Sequence, residues 1–286
     1  VILSENTLLT KAHITRLSFL NIPQVYVKDE YELSPNYQSV MTIFNRSNAF
    51  AAEYREVIRE VNNIFEATTN NGEIPVEKTQ TLVQDSLASM SKQSGVIDYL
   101  YGLNHMADDL YNHSMRVSIL AGVIGKWMYK KASVVNELIL AGFLHDIGKT
   151  KFPPRLQSRR VETLNGDDFE RYMQHTIDGS HLLNENTKIP EGVKLAALQH
   201  HECMDGSGFP FATKGEEIHE YAKIIAIADL YDNITTEREG FVRQTPFTAI
   251  AKITEQMYTK LDPTISVAIL KRIKDAFLGS TVVLNN

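Results

Sequence analysis

Of the nine histidines in this 286-residue chain, four fall among apolar residues with helical spacing, and they come with aspartates close by. His113 shares a stripe with Leu110, Val117, Leu120 and Ile124, and His145 follows Leu138 and Ala141, so both should point inward. Asp146 is adjacent to His145, and His200-His201 close the pattern Val193, Ala196, Ala197. Asp229 follows Ala222, Ile225 and Ala226 on another apolar face. An unpaired buried carboxylate costs several kcal/mol, so Asp146 and Asp229 need a cation, a hydrogen-bonded partner or a metal. A single histidine in such a setting is ordinarily a core residue bonded to a backbone carbonyl. Together, imidazoles and carboxylates suit borderline metals such as iron, manganese or zinc, and an aspartate can bridge two ions.

The elements that must position these groups read as helices. Gly148-Lys149 follows the His-Asp pair as a helix ending with a cation in its last turn. From Val96 onward nearly every apolar pattern has helical spacing, which predicts a mainly α bundle. Upstream, Phe50, Tyr54, Val57, Val61 and Phe65 predict an amphipathic helix over 48–67, Asn70-Asn71-Gly72 ends it, and a second helix should begin near Pro75. Residues 1–37 carry mixed signals for a small helix and a strand. The polar stretch Ser89 to Gly95 places a boundary near residue 95, between an N-terminal regulatory or packing domain (1–95) and a helical domain (96–286).

A net charge of −6 argues against a broad surface for nucleic-acid polymers, but metal ions could still invert the local balance for a small anion. The apolar runs Leu138 to Leu144 and Ile224 to Ile227 are far shorter than the roughly 18 residues of a spanning helix, so no membrane segment is expected. The single cysteine, Cys203, excludes an internal disulfide framework and suits the cytoplasm. It reads as a small core thiol near the histidines in sequence only. A start at Val1 with no signal-peptide pattern suggests that the sequence begins inside a longer protein.

His145-Asp146-Ile147-Gly148-Lys149 resembles the HD signature of metal-dependent phosphohydrolases. His200-His201-Glu202 with Asp205-Gly206-Ser207-Gly208-Phe209-Pro210 resembles the HD-GYP signature, and Ala226-Ile227-Ala228-Asp229-Leu230-Tyr231-Asp232 is similar to that family's aspartate helix. The resemblance covers about residues 96–245 and makes 96–286 an HD-GYP domain. It implies one metal held by His113, His145, Asp146 and Asp229, and a second held by Asp146, His175, His200 and His201. Asp146 would bridge. His175 enters through the resemblance alone. Asp109 matches a glutamate that supplies a third metal in some members, and as a solvated or helix-terminal charge it has an equally simple reading. Lys149 and Arg238 match contacts to a substrate phosphate, with Gly208 beside the substrate; the competing reading of Lys149 is a charge facing solvent. His13, His105, His181 and His219 take structural or surface readings.

The implied chemistry is hydrolysis of cyclic di-GMP by two divalent ions, iron or alternatively manganese, through a bridging hydroxide, with Asp146 and Lys149 as catalytic groups. The main departure is Phe209 at the tyrosine position, which removes a phenol but keeps a ring able to stack on a base. Cys203-Met204 and Lys151 depart as well, so substrate recognition should have drifted. The alternative is a signalling protein that keeps the metals and binds a nucleotide or a protein partner with little turnover. Di-iron oxygenase chemistry is a third reading, which the Gly208-Phe209-Pro210 element disfavours.

Overall fold

The computed structural model describes residues 35–103, 109–157, 163, 164, 166–237 and 241–276. The chain divides into two compact units, Val1–Ala49 and Phe50–Asn286. In the first, the described residues 35–49 are helical; the small helix and strand expected before them lie outside the described residues.

The helix expected over 48–67 belongs to a longer one, α1 (Pro35–Asn71). Phe50, Tyr54, Val57, Val61, Ile64 and Phe65 are all buried, at the three- and four-residue spacing of one helix face. Gly72 ends it with φ +73°, where its N–H donates to Thr68 O over 2.9 Å. Pro75 then precedes α2 (Val76–Leu82), a π-helical turn (Val83–Leu87) and α3 (Ala88–Ser91). The polar stretch near residue 95 is a turn inside the second unit. Beyond it, Tyr99 on α4 (Val96–Gly102) packs against Phe50 with ring centroids 5.5 Å apart. Tyr54 donates to Asn112 Oδ1 over 3.2 Å. Residues 50–95 therefore share one core with the helices C-terminal to them.

The centre of the unit is an α-helical pair, α5 (Leu110–Trp127) and α6 (Ala132–Leu144). Both are apolar around most of their circumference, so neighbouring elements must cover them on several sides. A 3₁₀ turn (Ile147–Lys151) and the short α7 (Pro154–Gln157) follow. Then come α8 (Gly166–Asn184), α9 (Glu191–Gln199), α10 (Glu220–Thr235), α11 (Pro246–Gln256) and α12 (Pro263–Ala276). Helix α10 packs on α5, α9 and α11, while α9 bridges α6 and α8. The architecture is mainly α, and no β-strand occurs among the described residues.

One crossing sets the position of the His-Asp pair. The 3₁₀ turn lies against α8, and a Cβ on Gly148 would come within 2.0 Å of His175 O and 2.6 Å of Gly179 N. Only glycine lets the two backbones meet there. Gly148→Ala should lower stability by about 2 kcal/mol or more, because backbone rather than a flexible side chain fills the space. Urea denaturation checks this, and a midpoint equal to wild type would contradict it.

Candidate metal centre

The site forms where α5, the end of α6, α8, the end of α9 and α10 converge. His113 comes from the first turn of α5, His145 caps the C-terminus of α6, and His175 lies in the middle of α8. His200 caps α9, His201 follows it, and Asp229 lies on α10. His113, His145, Asp146, His175, His200 and Asp229 are buried, and His201 is half-buried.

Asp146 is the hub. Its Oδ2 lies 3.5 Å from His113 Nε2 and 3.4 Å from His145 Nε2, while its Oδ1 lies 3.2 Å from His175 Nε2 and 3.6 Å from His200 Nε2. Asp229 Oδ1 lies 3.1 Å from His113 Nε2. These atoms form two ligand sets: His113, His145 and Asp229, and Asp146, His175, His200 and His201, with potential ligand atoms within 4.8 Å of one another in each set.

The opposite ring nitrogens are tied down. His113 Nδ1 meets Asp232 Oδ2 at 2.8 Å and His145 Nδ1 meets Gly142 O at 2.7 Å. His175 Nδ1 bonds to Tyr172 O, and His200 Nδ1 to Ala197 O at 3.0 Å. A ring that donates from Nδ1 turns the Nε2 lone pair inward, as a metal ligand requires. His145 Nε2 and Asp146 Oδ1 are buried yet have no hydrogen-bond partner. Buried polar atoms are rarely left so, and two of them within one cluster of imidazoles and carboxylates fit a divalent metal site.

Electrostatics agree. Burial opposes the Asp146 charge, yet Lys149 and the surrounding imidazoles hold its carboxyl well below the usual range. Burial pushes His175 down to about 4, and it lowers His200 and His201 as well. These rings are thus held neutral and ready to ligate. His113 goes the other way: burial opposes its protonation, but bonds to Asp229 and Asp232 outweigh it and raise the pKa.

Other expected residues have different positions. Lys149 is buried, not solvent-facing; its Nζ donates to Asp146 Oδ2 over 2.6 Å and lies 3.4 Å from Tyr172 OH. Asp109 is the N-cap of α5, with Oδ1 accepting from Asn112 N over 2.8 Å, so the helix-terminal reading describes it. Gly208 lies against the double-histidine backbone, where a Cβ would come within 2.3 Å of His201 O, so close packing requires a glycine there. Arg238, His13 and His105 lie outside the described residues. His181 is exposed, and His219 caps α10 by accepting from Tyr221 N. Phe209 is half-buried: its ring centroid lies 4.6 Å from that of His201, at 31°, and the ring packs against the cluster of Phe152, Leu156 and Tyr172. Cys203 is half-buried and lines the cavity above the centre, so it is near the site in space as well as in sequence.

Several contributors had no role assigned from the sequence, although Glu202 and Asp232 lie within its motifs. Asp232 receives Arg116 Nε over 2.7 Å while holding His113, and Asn233 Nδ2 donates to Asp229 Oδ1 over 2.7 Å. Glu202 accepts from Phe211 N and Thr213 N at 2.8 and 3.0 Å, fixing the loop after the double histidine. Tyr172 reaches the cavity from α8, one turn before His175. Helical spacing is the signal that could have found them: Arg116 follows His113 by three residues, Asp232 follows Asp229 by three, and Tyr172 precedes His175 by three.

The cavity has a volume of about 460 Å³. Its floor includes His113, Asp146, Lys149, His200, His201 and Asp229, and Lys252, Gln256 and Lys260 line it from α11 and the turn beyond.

Fold and site thus define an all-helical domain built around a buried histidine-aspartate metal centre. The chain belongs to the HD domain family, whose model matches residues 103–265. It is 28% identical over 205 residues to the cyclic di-GMP phosphodiesterase PA4108 of Pseudomonas aeruginosa, covering 72% of this chain and 49% of that protein. It is 33% identical over 183 residues to a cyclic di-GMP phosphodiesterase of Thermotoga maritima, covering 63% of this chain and 49% of the relative. The chain thus spans about half the length of these two relatives. Bd1817, an HDG"Y"P protein from Bdellovibrio bacteriovorus, shares the fold with a TM-score of 0.65 at 16% identity, over 85% of this chain and 81% of its own. The HD-GYP resemblance of the motifs stands with these relatives. No helix among the described residues is long and apolar enough to cross a membrane.

Two outcomes are expected. Asp146→Ala should lose most of the bound metal, whereas Asp232→Asn should keep the stoichiometry at saturation and weaken affinity about 10- to 100-fold, measured by competition with a chelator. In metal-free protein, unfolded histidines take up protons below about pH 6.5 while buried His175 stays neutral down to about 4, so stability should fall with pH across that window. His200 and His201 act in the same sense. His113, raised, acts oppositely, stabilising below its unfolded value and losing that contribution as pH climbs through its folded one. A melting temperature that is flat or rises from pH 6.5 to 4 would contradict this balance.

Proposed function

We propose that this chain is a metal-dependent phosphodiesterase of the HD-GYP type that hydrolyses cyclic di-GMP to the linear dinucleotide, with two divalent ions, iron or alternatively manganese. The observation that carries this reading is the division of Asp146 between two ligand sets, Oδ2 toward His113 and His145, Oδ1 toward His175 and His200. The first set with Asp146 would hold one ion, and Asp146 with the second set the other. When bound, such ions lower the pKa of water to supply a nucleophile near neutral pH and neutralise charge developing on phosphorus. The names of the two relatives, both cyclic di-GMP phosphodiesterases, support this substrate class.

The chain's own groups then bind and orient. Lys149 is the buried ammonium on the cavity floor and would receive a phosphate oxygen. The cavity is in the size range of small-molecule sites and exceeds what one phosphate needs. Lys252 and Lys260 line it and suit the second phosphate of a cyclic dinucleotide, although Lys252 also pairs with Glu255 at 2.8 Å. Arg238 keeps its proposed role as a phosphate contact. The first 95 residues are proposed as a regulatory or packing part, and the single thiol, Cys203, suits a cytoplasmic setting.

A second reading is favoured by one observation. Phe209 stacks on His201 and offers no hydroxyl, which fits a protein that binds the nucleotide, or a protein partner, with little turnover. Metal-loaded protein incubated with cyclic di-GMP separates the two. Appearance of the linear dinucleotide supports the phosphodiesterase, whereas binding without product supports the sensor. Replacing both Lys252 and Lys260 by alanine should raise KM for cyclic di-GMP about tenfold, roughly 1.4 kcal/mol, with kcat near wild type. An unchanged KM would remove these lysines from substrate binding.

A further inference from the structure

Tyr172 has a chemistry that neither the motif nor the ligand sets account for. It is buried at 6% exposure, yet it lines the cavity. Its ring lies 4.9 Å from that of His175 and 6.3 Å from that of Phe209, so two neighbouring rings pack against the phenol. The Lys149 ammonium lies 4.8 Å from the ring centroid. The hydroxyl lies 3.4 Å from Lys149 Nζ and 3.4 Å from His201 Nε2.

The donor inventory decides what this hydroxyl can do. An ammonium only donates, so the Tyr172 oxygen accepts from Lys149 and its one proton turns to the neighbouring acceptor, His201 Nε2. His201 belongs to a ligand set, and when it ligates through Nε2 that lone pair cannot also accept a proton. Engagement of that nitrogen therefore leaves the phenolic O–H, polarised by Lys149, facing the cavity with its proton unassigned. The chain has Phe209 in the same aromatic cluster, so the phenol beside the centre comes from α8.

We propose that Tyr172 is a substrate-contacting residue whose O–H donates to a non-bridging oxygen of a phosphate group held beside Lys149. The reading rests on phosphate-group binding at the proposed centre. It does not require turnover. Tyr172→Phe keeps the ring and its packing and removes only the donor.

The test uses the full chain loaded with manganese. Metal content, the dissociation constant for inorganic phosphate by calorimetry, and kcat/KM for bis(p-nitrophenyl) phosphate are measured for wild type and Tyr172→Phe. Metal content should be unchanged, phosphate binding about tenfold weaker, and kcat/KM lower by about tenfold or more, as expected for one lost hydrogen bond to a charged group. Phosphate affinity equal to wild type with full metal content would overturn the proposal, as would wild-type protein that binds no phosphate. Loss of metal in the variant would also overturn it, by showing that Tyr172 acts only through His201. A chain that binds phosphate but cleaves no diester refutes the phosphodiesterase reading, and the phosphate measurement still decides this one.

Discussion

A single buried carboxylate organises this molecule. Asp146 is 1% exposed, in surroundings where an isolated charge would be several kcal/mol too expensive to keep. The fold answers with one ammonium at 2.6 Å, and four imidazole nitrogens converge on the same carboxylate at 3.2–3.6 Å, placed to share a cation with it. Because the ligand atoms around Asp146 come from α5, the end of α6, α8 and the end of α9 together, the helices cannot slide independently without breaking up the set. Packing and electrostatics thus fix the same geometry, the first through the shared core, the second at its polar centre.

Directionality comes from the outer contacts. Carbonyls of Gly142, Tyr172 and Ala197 and the carboxylate of Asp232 hold Nδ1 of four rings. Three of these acceptors are backbone atoms three residues before the histidine, so the helix geometry itself aims the ring. A histidine at or near a helix C-terminus finds carbonyls with no partner in the helix, as at His145 and His200. The same helix ends that need capping thereby orient ligands, and the glycine at position 148 lets the His-Asp turn approach α8 closely enough for His175 to join.

Much of this was legible in the sequence. Helical spacing marked His113, His145 and Asp229 as inward-facing, because a stripe of apolar residues identifies a buried face whatever its partner. The Asn70-Asn71-Gly72 stop and the start after Pro75 were legible because turn chemistry is local. His175 was not, since its position depends on α8 crossing the 3₁₀ turn, a contact between residues 27 apart (from Gly148 to His175) that no local pattern encodes. For Lys149 the solvent-facing alternative stayed open beside the phosphate contact: its partner Asp146 is local, but the burial of both is set by elements later in the chain. Asp109 kept two readings in sequence, because a capping carboxylate and a ligand look alike there, and the close packing around Gly208 depends on a loop contact that no local pattern encodes.

The charges around the centre explain why a cation belongs there. Asp146, Asp229 and Asp232 face two permanent cations, Lys149 and Arg116, with His175, His200 and His201 held neutral by burial first. Three negative charges against two positive leave one uncompensated, and it lies where Asp229 and Asp232 raise the pKa of His113. In the metal-free protein, protonation of His113 completes the balance. A metal needs that same nitrogen deprotonated, so ion and proton compete for one position. The helices fix where compensation must occur, and the solution conditions determine whether a proton or a metal ion provides it.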